Sequence, residues 1–145
     1  MLANILNVDP GKEPDPKMAR FIASALHEWS EEAIRNHSKN KQDGRDLSVK
    51  VLRVGSLVFC FVAAEVFVET AISLRDAFPD LTVNVVGYCS PLVGYLPTDE
   101  ALDEGGYEVD YAYRFYGYPA AFARGSEPAL VTALKDVIQS QFPTL

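Results

Sequence analysis

Apolar residues recur in steps of three and four at Met18, Phe21, Ile22, Ala25, Leu26, Trp29, Ala33 and Ile34, laying one stripe along a helix of about 20 residues. Charged Lys17, Arg20, Glu28, Glu31, Glu32 and Arg35 take the opposite side. Asp15 followed by Pro16 is a capping residue ahead of a favourable first helical position. Before it, residues 1–16 carry Pro10, Gly11, Pro14 and Pro16 without periodicity and read as an irregular lead-in. After it, the polar residues 36–45 read as a solvated loop.

The period then changes to two. Val49, Val51 and Arg53 alternate with Lys50, Leu52 and Val54, and Gly55 and Ser56 make a tight turn. Residues 57–64 form an unbroken apolar run, long enough for a buried central strand, which Glu65 ends. Helical spacing returns over residues 66–78 in Phe67, Ala71, Leu74 and Phe78, stopped by Pro79 and Asp80; residues 81–88 are another apolar strand. Strand, helix and strand within about 32 residues are the size of a βαβ unit. A last amphipathic helix opens at Glu127 and Pro128 and continues through Ala129, Leu130, Leu134, Val137 and Ile138. The elements predict an α/β fold: a layered sheet of about four or more strands packed with an N-terminal, a central and a C-terminal helix. The 145 residues make one domain by length, and no internal repeat is visible.

Charge narrows the partners. Twenty acidic and 13 basic residues give a formal net charge of −7, which repels phosphate backbones and anionic membrane surfaces. Nucleic acid is therefore not an expected partner. No stretch approaches the roughly 18 uninterrupted apolar residues of a transmembrane helix, and the first residues do not read as a secretory signal. The composition is that of a soluble globular protein, with no compartment indicated. Cys60 and Cys89 both lie in apolar runs and read as buried, reduced thiols, since two cysteines make no disulfide framework.

Three places can carry chemistry. Glu65 stands at the end of an apolar run directly before a helix, the edge where α/β sheets present ligands, and also a position where a carboxylate stabilises a helix N-terminus. Residues 87–98, Gly-Tyr-Cys-Ser-Pro-Leu-Val-Gly-Tyr-Leu-Pro-Thr, follow the next strand and bring Tyr95 to that same edge. A phenol there can pack, hydrogen-bond, donate a proton or ligate a metal. Glu104-Gly105-Gly106-Tyr107-Glu108 would hold Tyr107 rigidly after a glycine pair, or simply turn into an edge strand. Residues 89–125, rich in tyrosine and glycine, suggest an ordered functional loop layer. His27 and His37 are ten residues apart, not spaced as a paired metal site on one helix.

The succession Glu65-Val66-Phe67, Gly94-Tyr95-Leu96-Pro97-Thr98 and Glu104-Gly105-Gly106-Tyr107-Glu108 resembles the neutral/alkaline non-lysosomal ceramidase family, in particular its bacterial ceramidase-like branch. The resemblance spans about residues 48–140. It implies the C-terminal part of an α/β catalytic domain in which zinc, held by two histidines, a glutamate and a tyrosine, activates water to cleave an N-acyl amide such as ceramide. Glu65 corresponds to the glutamate ligand, Tyr95 to the tyrosine ligand, and Tyr107 to a catalytic tyrosine beside the polarised carbonyl. Ala63 and Ala64 stand where the family usually has Pro-Gly, and Ser90 where it has asparagine. The two histidine ligands belong to an N-terminal part that these residues do not include, and neither His27 nor His37 matches them. The expectation is a fragment or split subunit, inactive alone, with an incomplete zinc site that an N-terminal ceramidase-like chain or segment completes. The alternative is a non-catalytic interaction module derived from that fold, and a homo-oligomer formed through apolar strand faces is a further possibility.

Overall fold

The computed structural model describes residues 15–37 and 44–141. The lead-in up to residue 14 and the middle of the polar loop, residues 38–43, lie outside the described residues. In chain order the elements are α1 (Pro16–His37), β1 (Val49–Val54), β2 (Leu57–Val62), β3 (Glu65–Val66), α2 (Val68–Ala77), β4 (Thr82–Val86), β5 (Tyr95–Leu96), α3 (Asp99–Glu104), α4 (Tyr107–Asp110), α5 (Ala112–Phe115) and α6 (Ser126–Gln141). The protein is thus mixed α/β. The chain divides into two compact units, one of residues Met1–Gly44 with Gly105–Ala121 and one of Arg45–Glu104 with Phe122–Leu145.

The first unit is helical. Asp15 caps α1 as its sequence indicates: its carboxylate accepts the Lys17 backbone N–H at 2.9 Å, and Pro16 follows at the position where a missing N–H is harmless. α1 contacts α5 and buries Ile22, whereas Met18, Phe21 and Ile34 of its apolar stripe are exposed. Trp29 donates its indole N–H to the Tyr118 carbonyl and packs edge-on against Tyr113. The Arg114 guanidinium lies over both rings, 5.1 Å from the Trp29 centroid and 4.8 Å from that of Tyr113. Much of the tyrosine-rich stretch read as a loop layer is short helix, because tight turns at Gly105, Gly106 and Gly117 break it before any helical period becomes visible.

The second unit carries the sheets. β1 pairs antiparallel with β2 through the Gly55 turn, and β2 pairs parallel with β4 across the α2 crossover, giving the order β1-β2-β4. The five strands among the described residues are therefore split, three in this sheet and two, β3 and β5, in a separate parallel ladder. Alternation decides what is buried. Val58, Cys60 and Val62 of β2 and Val83 of β4 point into a core closed by Leu74 of α2 and by Leu130, Leu134 and Ile138 of α6. Leu52, Val54 and Leu57, on the alternate positions, are exposed. Thr70 of α2 donates its hydroxyl to the Glu127 carboxylate of α6 at 2.7 Å, both side chains buried, which ties the two helices at one polar point.

Candidate functional site

The apolar run that predicted one strand over residues 57–64 ends as a strand at Val62. Ala63 and Ala64 are fully buried and bend the chain out of the main sheet. Their backbone is held on both sides: the Ala63 N–H donates to the Ser48 carbonyl, the Val93 N–H donates to the Ala63 carbonyl, and the Tyr88 N–H donates to that of Ala64. A side chain at Gly87 would place its Cβ 3.0 Å from the Ala64 carbonyl, so glycine is what lets the two segments lie this close. Past the bend, β3 begins at Glu65 and pairs with β5, the Glu65 N–H donating to the Gly94 carbonyl at 2.9 Å.

In this ladder Glu65 is the register partner of Tyr95, and Val66 that of Leu96. Register partners in neighbouring strands present their side chains on the same face. The Glu65 side chain is 6% exposed, and its carboxylate accepts hydrogen bonds from the phenols of Tyr95 and Tyr88, which lie close to each other. Burial, and then the hydrogen bond to Glu65, push the Tyr95 phenol well above the ordinary tyrosine range. The hydrogen bond to Glu65 is the chief reason that Tyr88 is also raised. Both phenols are accordingly neutral donors at physiological pH.

The motif around Tyr95 divides its labour residue by residue. Gly94 takes a φ of 94°, Leu96 enters the core, and the Thr98 hydroxyl accepts the Ala101 N–H to open α3. Two of the three sequence-predicted site residues, Glu65 and Tyr95, thus meet. Tyr107 belongs to the other unit: it is the first residue of α4, exposed, and stacks on Phe115 at 6.4 Å. The glycine pair before it turns between two helices, not into an edge strand, and the Asp110 carboxylate accepts the Gly106 N–H at 2.8 Å.

Tyr88 is the residue that sequence reasoning missed, counted as the last position of a strand. It is 70% exposed and has a φ of 59°, the left-handed region that a bulky side chain avoids. A signal was present: Gly87-Tyr88 and Gly94-Tyr95 are the same dipeptide seven residues apart. Each glycine brings the backbone against the Ala64–Glu65 turn, and each tyrosine bonds to Glu65.

Zinc is the metal the resemblance implies. The Glu65 carboxylate is an oxygen donor of the kind found beside imidazole at zinc, whereas both phenols are protonated, so the carboxylate alone matches the ordinary zinc donors. Among the described residues, no three His, Cys, Asp or Glu side chains gather closely enough to hold an ion. His27 lies on α1 in the other unit, 3.8 Å from Glu31. Cys60 is buried, while Cys89 is half-buried and its thiol donates to the Val86 carbonyl. No described helix is long and apolar enough to cross a membrane. In comparison with known proteins, the chain matches no family model, no curated protein and no solved structure.

Proposed function

We propose that this chain is part of a zinc-dependent amidohydrolase resembling the neutral ceramidases, acting on an N-acyl amide, with Glu65 and Tyr95 as oxygen ligands. The observation that carries this reading is the direct pairing of the two residues in one ladder. Zinc when bound would supply a water acidic enough to act as hydroxide near neutral pH. The chain's own contribution is orientation. The ladder fixes the Glu65 carboxylate by its backbone, Tyr95 stands beside it, and the exposed Tyr88 phenol steadies the same carboxylate from the solvent side. Ligation by Glu65 would displace these phenol hydrogen bonds, and ligation by a Tyr95 phenolate would also release a proton. Tyr107 is assigned to the developing oxyanion by resemblance alone. The imidazoles come from a separate chain or segment, and without them this polypeptide binds zinc weakly and has no amidase activity.

Competition of the purified chain against a chromophoric chelator tests this. One weak zinc equivalent is expected, with affinity at least tenfold lower in both Glu65→Gln and Tyr95→Phe. Unchanged affinity in both variants would reject the ligand assignments, and amidase activity of the chain alone would reject the split-site reading.

The exposed Leu52, Val54 and Leu57 on the outer side of the sheet favour a second reading, a non-catalytic interaction module that associates through that face. Absence of any zinc equivalent, together with self-association lost on Leu52→Ser, would favour it.

A further inference from the structure

Beside the bend, on the opposite side of Cys89 from Tyr88 in the chain, lies a cavity of about 230 Å³. It falls within the second unit and is built by the same backbone bonds. The Ala63 N–H to Ser48 carbonyl bond closes one wall, and the Cys89 N–H to Val62 carbonyl bond at 3.2 Å brings Cys89 and Ser90 over as the other. Phe61 and Ala63 give it apolar walls.

Its polar groups are few, and Ser48, Lys50 and Ser90 all lie exposed at its open side. Lys50 is the register partner of Phe61 across β1 and β2, so its stem runs alongside that ring on the same face of the sheet. Among the described residues the Lys50 ammonium makes no ion pair, although acidic residues outnumber basic ones 20 to 13 in the chain. The hydroxyls of Ser48 and Ser90, which also line the cavity, make no hydrogen bond among the described residues. Apolar walls with one cation and two free hydroxyls are the ordinary make-up of a small-ligand site, in which the polar groups set orientation. The volume is below the roughly 300–1,000 Å³ of sites for drug-sized ligands.

We infer that this cavity binds a small apolar monocarboxylate, its carboxylate on the Lys50 ammonium and the Ser48 and Ser90 hydroxyls and its hydrocarbon body against Phe61 and Ala63. A single cation matches a single negative charge. The field of a chain with net charge −7 attracts cations and repels anions, so nonspecific electrostatics work against this ligand. Selective capture of the anion therefore reports the local site. The inference is independent of zinc and of Glu65.

The test is titration of the isotopically labelled full chain with hexanoate, hexanol and hexylammonium in the presence of EDTA, followed by amide chemical shifts. Hexanoate is expected to saturate the shifts of Val49, Lys50, Ala63 and Ser90, with the other two ligands at least tenfold weaker. Lys50→Met should weaken hexanoate about tenfold, while Lys50→Arg retains it. Lys50 is exposed, so both variants keep the fold, which the dispersion of the spectrum verifies. Equal binding of hexanol, equal binding by Lys50→Met, or shifts confined to other residues would overturn the inference.

Discussion

Glu65 and Tyr95 sit opposite each other in a parallel ladder only two residues long, and the phenol of one donates to the carboxylate of the other. The pairing is set by main-chain bonds, so the two functional groups meet without depending on long, flexible side chains. A phenol from Gly87-Tyr88 reaches the same carboxylate, leaving one buried acid served by two donors.

The first prediction concerns that arrangement. Tyr95→Phe leaves the buried Glu65 carboxylate short of one donor, and should lower unfolding free energy by about 1–3 kcal/mol in urea titrations. Tyr88→Phe should destabilise less, because that phenol is solvent-exposed. A double-mutant cycle should show a coupling clearly different from zero, since both tyrosines share one acceptor and touch each other. Strict additivity would mean that the three groups do not act together.

The backbone at position 88 gives a second expectation, with a sign opposite to the usual one. In helices and strands, replacing alanine by glycine lowers stability. A left-handed backbone reverses this, because a Cβ crowds the following carbonyl there. With φ at 59°, Tyr88→Gly should unfold at a higher urea concentration than Tyr88→Ala. The reverse order would show that residue 88 leaves the left-handed region once the phenol is gone.

Much of the unit holding this cluster was legible in the sequence. Period-two alternation over residues 49–54, the apolar run after Gly55 and the helix stopped by Pro79 all reappear as β1, β2 and α2, with β2 and β4 parallel as a βαβ unit requires. Glu65 was legible as a carboxylate closing the apolar run, although it opens β3 instead of ending β2, and the resemblance singled out Tyr95. What hydrophobicity did not show was the break at Ala63 and Ala64. Two buried alanines look the same in a strand and in a bend, so the move into a second ladder is invisible to an apolar count. Tyr88 escaped for a related reason: its role depends on a positive φ, and only glycine advertises that conformation. The short helices between Gly105 and Gly117 span about one turn each, too few positions for a 3.6-residue period to declare itself.

Alkaline pH supplies the third prediction. Burial pushes the Cys60 thiol up from 9.0 to about 11. The unfolded chain thus loses this proton before the folded one does, and stability falls as pH rises from about 9 to about 11 while being unaffected by this group below that window. The loss is on the order of 2–3 kcal/mol at 1.36 kcal/mol per unit. Tyr95, also raised, adds a decline of the same sign. Urea midpoints measured from pH 8 to 11 should fall less steeply in Cys60→Ala than in the parent chain.

The fourth concerns the helix pair. Thr70→Val keeps the shape of the side chain and removes the hydroxyl that serves the buried Glu127 carboxylate. A destabilisation of about 1–3 kcal/mol is expected by urea unfolding. It should be smaller in a Glu127→Gln background, where no charge is left stranded.

The smallness of the residues at the bend has a mechanical consequence. Ala63 and Ala64 act as a hinge pin with no clearance, gripped by Ser48 on one flank and by Tyr88 and Val93 on the other. A bulkier residue there would wedge the two ladder strands apart and uncouple acid from phenol while leaving both side chains chemically intact. The main-chain bonds that space the cluster thus depend on two small side chains that take no part in its chemistry.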